Sequence, residues 1–161
     1  GRPAGLDRVR AVARSEGGLT GGFLLGPLLA PAYGYQGRLH EQIDLIRRLL
    51  RGEGGVYSPE LYHAELYHLL GEALLRVGEA PEGEYWLERA VRTARATGHR
   101  RQQLRAALSL AGRLQETGRG ETAEQLLNGA LAELPAGEWD PDRDRARRLL
   151  QGHGQRQETL G

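Results

Sequence analysis

The stretch Ser58–Ala90, "SPELYHAELYHLLGEALLRVGEAPEGEYWLERA", decides how the rest of the chain is read. Leu66, Leu69, Leu70, Ala73, Leu74 and Val77 recur at the spacing of one helical face. Ser58 is placed to cap that helix, and Pro59 suits its first position, where an N–H has no intrahelical partner anyway. Gly78 supplies the stop, because the residue that ends a helix is commonly left-handed and glycine accepts that conformation. A second helix starts near Pro81, buries Leu87, Ala90, Val91 and Ala94, and ends at Gly98. Two helices joined by so short a turn make an antiparallel hairpin.

The same plan recurs downstream. Leu104, Ala107, Leu108, Ala111 and Leu114 share one face of a helix that stops at Gly118. Ala123, Leu126, Leu127, Ala130 and Leu134 share a face of the next, and Pro135 breaks it. The turn glycines Gly37, Gly78 and Gly118 are separated by 78 − 37 = 41 and 118 − 78 = 40 residues. A fixed period of this size marks stacked helical hairpins. The first unit is less regular: Pro27 and Pro31 would each cost about 3 kcal/mol inside a straight helix, so a short or kinked one is expected. After it "LHEQIDLIRRLL" turns Ile43, Ile46, Leu49 and Leu50 inward, while Leu6, Val9 and Val12 read as the remnant of an earlier helix. "DPDRDRARRLL" predicts a capped last helix. Strand signals are poor, with no sustained alternation. The expectation is an all-α chain with one helical domain over 1–151. Its hairpins are placed at 20–52, 58–98 and 100–135 and its final helix at 140–151, with a frayed tail over 152–161.

Composition narrows the function. The 161 residues carry a net charge of +1, so no strong field calls for nucleic acid or an anionic membrane. All 22 basic residues are arginine. Cysteine is absent, which excludes disulfides, thiolate zinc sites and cysteine nucleophiles. Methionine is absent as well, and a fragment or processed piece is expected. No apolar run approaches the roughly 20 residues that span a bilayer, and "GRPAGLDRVR" does not read as a signal peptide. A cytoplasmic bacterial protein is the expectation.

The chain resembles the tetratricopeptide repeat family, in which small residues let paired helices approach and large apolar ones fill between. Leu110, Ala111, Leu114, Gly118, Ala123, Leu127, Ala130 and Pro135 fall at the characteristic positions, as do Leu70, Gly71, Leu74, Gly78, Gly83, Leu87 and Ala90. Arg95 stands where the family carries proline, and Gln42 where it carries a small residue. "AELYHLLGEALL", "LRAALSLAGRLQETGR" and "EWDPDRDRARRLL" resemble, more narrowly, the closing repeats of large bacterial ATPase or cyclase regulators and transcription regulators. No GxxxxGK[ST] loop is present, so this segment is not the ATPase itself. The resemblance implies a right-handed superhelix of helical hairpins with a concave groove. It assigns to that groove Glu65, His68, Glu72, Leu75 and Arg76, and in the next unit Arg105, Leu108, Gly112, Gln115 and Glu116. Glu65, His68, Glu72, Arg76, Arg105 and Gln115 are the candidate partner-binding residues.

His63 and His68 are five apart, about 140° around a helix, so they cannot share a metal as an i, i+4 pair does. His68 is expected on a solvated polar stripe with Glu65, Glu72 and Arg76, and both histidines to tolerate substitution. "DPDRD" lacks the glycine and terminal glutamate of a calcium loop, and helix capping is expected of it. Trp86 and Trp139 are read as packing anchors, and nothing marks a nucleophile elbow. No catalytic, cofactor-binding or metal-binding residue is assigned. The function expected is a non-catalytic interaction or scaffolding module, the closing repeat segment of a larger bacterial signalling or transcription-regulatory ATPase. Its partner would be a protein, a peptide, a neighbouring domain or a second copy, and not nucleic acid or membrane. The rival reading is an inducer-sensing domain whose groove closes on a small molecule.

Overall fold

The computed structural model describes residues 37–52, 62–137 and 139–158, with side chains as far as Gly152. Among the described residues six helices account for the regular structure: α1 (Leu39–Leu50), α2 (His63–Arg76), α3 (Ala80–Ala96), α4 (Arg100–Glu116), α5 (Gly120–Glu133) and α6 (Pro141–Glu158). The chain is all-α over this span. The expected helix before Gly37, the remnant at Leu6 to Val12 and the Ser58–Pro59 cap lie outside the described residues. Helix α6 runs 158 − 151 = 7 residues past its expected end at 151. Gln155, Arg156, Gln157 and Glu158 are good helix formers and carry it beyond Gly152 and Gly154.

Three turns of one design link α2 to α5. In the first, Gly78 sits at φ 91°, its N–H reaches the carbonyl of Leu75 (3.2 Å), and the N–H of Glu79 reaches Leu74 (2.9 Å). In the third, Gly118 sits at φ 75° and bonds Gln115 (3.1 Å), while Arg119 bonds Leu114 (2.8 Å). Gly98 repeats the pattern between them, with His99 bonded to Ala94. This is the Schellman arrangement, which satisfies carbonyls the helix end leaves open and which a side-chain-bearing residue enters only at a cost. The carbonyls of Glu79, His99 and Arg119 then accept the first bond of the following helix. The turns recur every 98 − 78 = 20 and 118 − 98 = 20 residues.

Consecutive helices pack on one another from α3 to α6, α1 packs on α2, and α2 on α3. The alternate helices α2, α4 and α6 also touch, α4 reaching both of the others. Burial obeys the 40-residue step. Leu70, Gly71, Leu74, Leu87 and Ala90 are buried, and so are Leu110, Ala111, Leu114, Leu127 and Ala130 one step on. The six leucines read from sequence as core (Leu70, Leu74, Leu87, Leu110, Leu114 and Leu127) are all buried. One large cluster joins Leu87 to α4, α5 and Ala146 of α6; another joins Ile43, Ile46 and Leu49 to α2.

The two hairpins differ at their closest approach. A β-carbon at Gly71 would lie 2.7 Å from Leu87 Cγ and 2.9 Å from the Gly83 carbonyl oxygen. One at Gly83 would lie 2.8 Å from Leu75 Cδ2 and 3.0 Å from the Gly71 carbonyl oxygen. Helices α2 and α3 thus meet backbone to backbone. The counterparts in the second hairpin are Ala111 and Ala123, both fully buried, so α4 and α5 are matched to a methyl at each position.

Two readings are corrected. Trp139 is 79% exposed and anchors nothing, because Asp140 beside it is turned inward to cap α6, its Oδ1 accepting from the Asp142 N–H at 2.9 Å. Trp86 does pack: its ring lies 5.2 Å from that of Tyr67, and Nε1 donates to Glu82 (3.2 Å). His68 is 4% exposed, not solvated, because its stripe on α2 faces α4. Its counterpart one step on is Leu108, equally buried.

Candidate functional site

The inward turn of His68 organises the seam between α2 and α4. Nε2 lies 2.9 Å from Ser109 Oγ and 3.4 Å from Glu72 Oε1. Ser109 donates its hydroxyl proton to that same Glu72 oxygen at 2.7 Å. On the other side Nδ1 lies 3.4 Å from the Gln102 amide nitrogen. One tautomer satisfies all of these contacts: Nε2–H donates towards Ser109 and Glu72, and Nδ1 accepts from Gln102. The Glu72 carboxyl is held down to about 2 from its ordinary 4.5. The hydrogen bond to His68 is the largest cause. Burial works against it, while the Ser109 hydroxyl, the Arg145 guanidinium and, when the ring is protonated, the charge of His68 work with it.

Serine, histidine and glutamate in contact invite comparison with a hydrolytic triad. In that device the imidazole takes the hydroxyl proton, and a carboxylate holds the other ring nitrogen. Here the Ser109 proton is directed to Glu72, and Nδ1 faces an amide instead of a carboxylate. The group joins α2 to α4. Removing the ring should strand its partners: His68→Ala is expected to cost about 1–3 kcal/mol in denaturant unfolding. His68→Leu, which copies Leu108, should cost less. An unchanged midpoint for His68→Ala would show that the buried network does not form.

Glu72 also predicts an acid response. Its folded pKa lies below its unfolded one, so its stabilisation is complete above about pH 4.5 and drains away as pH falls towards 2. Nearly half of the side chain is exposed, so solvent screens the effect. The difference in unfolding free energy between wild type and Glu72→Gln should shrink over that window. A difference independent of pH would contradict the assignment.

Carboxylates pair with several arginines along the helix seams. Glu84 of α3 accepts from Arg113 (3.1 Å) and Arg119 (2.8 and 2.9 Å). Burial pushes the Glu84 carboxyl up, but the hydrogen bonds and charges of Arg119 and Arg113 together outweigh it and leave its pKa lowered. Glu133 of α5 meets Arg95 at 2.8 Å and Arg100 at 2.6 Å. Arg47 of α1 meets Glu82 at 2.9 Å. The Arg95 ion pair ties the end of α3 to α5.

A cleft of about 550 Å³ runs along α2, α4 and α6. Glu72 and Arg76 line it from α2, Leu108, Ser109, Gly112, Arg113 and Glu116 from α4, and Arg145 from α6. Of the candidate binding residues, Glu72 and Arg76 are therefore brought together on its wall. His68 is buried behind Glu72. Arg105 instead pairs with Asp142 of α6 at 3.5 Å. Glu65 and Gln115 are half-buried and do not line the cleft. Arg113, Ser109 and Arg145 were not foreseen. Arg145 had a signal: it lies 40 residues beyond Arg105, so one more step of the period reaches it. A second cleft of about 710 Å³ opens between the start of α4 and the α5–α6 connection, around His99, Arg101, Pro135 and Arg143. Among the described residues no three His, Asp or Glu gather to hold a metal ion, and no helix is long and apolar enough to cross a membrane. Compared with protein-family models, curated proteins and solved structures, the chain matches none.

Proposed function

We propose that this chain is a non-catalytic interaction module, a solenoid of tetratricopeptide-like hairpins that receives a peptide or a neighbouring domain along α2, α4 and α6. One observation carries the reading: alternate helices meet to form a mixed-charge cleft, while the intervening helices α3 and α5 pack behind them. The 40-residue step in burial and the repeated glycine turns support a stacked array, whose extended surface suits such a partner. In that architecture the polar α6 closes one end, and the segment serves as the regulatory repeat region of a larger bacterial protein. Docking to the parent's other domains or to a second copy falls under the same reading.

The test is a selection from a random peptide library on the wild-type chain, repeated on a Gly112→Leu variant that fills the cleft. Enriched peptides that bind the first and not the second are expected. If every enriched peptide binds both equally, the cleft is not the interaction surface.

A further inference from the structure

Gly112 lies in the middle of α4, on the floor of the α2–α4–α6 cleft. A β-carbon built there would meet nothing within 4 Å. Gly71 and Gly83 are different: their β-carbons would strike neighbours at 2.7 and 2.8 Å, so packing explains them. A glycine inside a helix weakens it relative to alanine, and no described contact requires one at Gly112. Gly129 and Gly152 are equally open, but neither lines this cleft. What Gly112 leaves is room for another main chain to approach the helix.

The charges around that space are uneven. Both acids of the cleft are engaged: Glu72 by Ser109 and His68, and Glu116 by Arg113 at 3.6 Å. Arg113 is further engaged by Glu84. Arg76 and Arg145 line the cleft and make no ion pair with any described residue, Arg145 acting on Glu72 only through its field. Leu75, Ala80 and Leu108 give the cleft apolar flanks. Two exposed guanidiniums beside open backbone suit a ligand that brings carboxylates, which a guanidinium binds in a bidentate, charge-assisted way.

We infer that the cleft takes an acidic peptide segment, its main chain passing over Gly112 and its carboxylates meeting Arg76 and Arg145. The inference rests on the peptide-binding reading above and adds the charge of the ligand. Three labelled probes test it by fluorescence anisotropy in physiological salt: a peptide of alternating glutamate and alanine, one of alternating lysine and alanine, and single-stranded DNA of similar length. The glutamate peptide should bind saturably and most tightly. The double variant Arg76→Glu/Arg145→Glu should weaken it by about tenfold or more. Gly112→Leu should do the same with an unchanged or higher melting temperature, which separates lost binding from lost fold. No saturable binding of the glutamate peptide, or binding that survives both variants, overturns the inference. DNA binding as tight and as sensitive to the variants would overturn it in favour of a general polyanion site. If the lysine peptide binds best and Gly112→Leu abolishes that binding, the acidic ligand is wrong while the peptide-binding function stands.

Discussion

Leu87→Ala is expected to lower the unfolding free energy by about 2–5 kcal/mol, read as a shift in denaturant midpoint. Leu87 is fully buried and belongs to the cluster that also holds Leu104, Leu108 and Leu127. Its Cγ is also the atom nearest to where a Gly71 β-carbon would stand, and its Cδ2 is the third nearest. One side chain thus fills the gap between α2 and α3 and the gap between α3 and α4. Deleting it leaves a cavity with walls on three helices, which cannot all collapse inward because each is held by its other neighbours. Tyr85, on the same helix but 47% exposed, is the control, and its alanine variant should cost far less. A Leu87→Ala loss no greater than the Tyr85→Ala loss would mean that α3 does not sit between α2 and α4.

Gly71→Val is expected to be nearly as damaging, by overpacking instead of a cavity. The nearest atoms to its β-carbon include the carbonyl oxygen of Gly83, which belongs to the backbone and cannot rotate away. Strain of this kind typically costs about 1–3 kcal/mol, and the β-branched side chain falls at the upper end. The reciprocal experiment sharpens the test. Ala111→Gly in the second hairpin should be destabilising too, since α4 and α5 are spaced for a methyl there and the helix loses propensity. If Gly71→Val and Ala111→Gly are both neutral, the two hairpins do not differ in closeness as described.

The helical faces were legible because their signal is local. Leu70, Leu74 and Leu87 announce a face by spacing alone, and Gly78 and Gly118 announce turns because little else tolerates a left-handed φ. The cleft was only half legible. Glu72 and Arg76 could be placed on one stripe by angle, but their neighbour across the seam depends on how α2 lies against α4. That is a tertiary fact, and it turned His68 from a surface residue into a buried one with partners on α4. The pairing of Arg105 with Asp142 was hidden for the same reason, since one residue is on α4 and the other on α6. Trp139 shows that aromatic size alone does not imply burial: the residues after it, Asp140 and Pro141, serve the start of α6 and leave the indole outside.

The equal spacing of the glycine turns bears on how the chain reaches this state. Among the described residues each helix rests on its immediate sequence neighbours, and the longer partnerships of α2, α4 and α6 skip a single helix. From α2 to α6 the described contacts wait on no long loop, so the entropy surrendered before the first stabilising contact there is small and formation should be quick. Either hairpin can arise first and serve as the template on which the other docks. During synthesis α2 and α3 can pair as soon as they emerge, before α4 exists to cover them. Gly71 and Gly83 let that pair close backbone to backbone before α4 arrives to cover it.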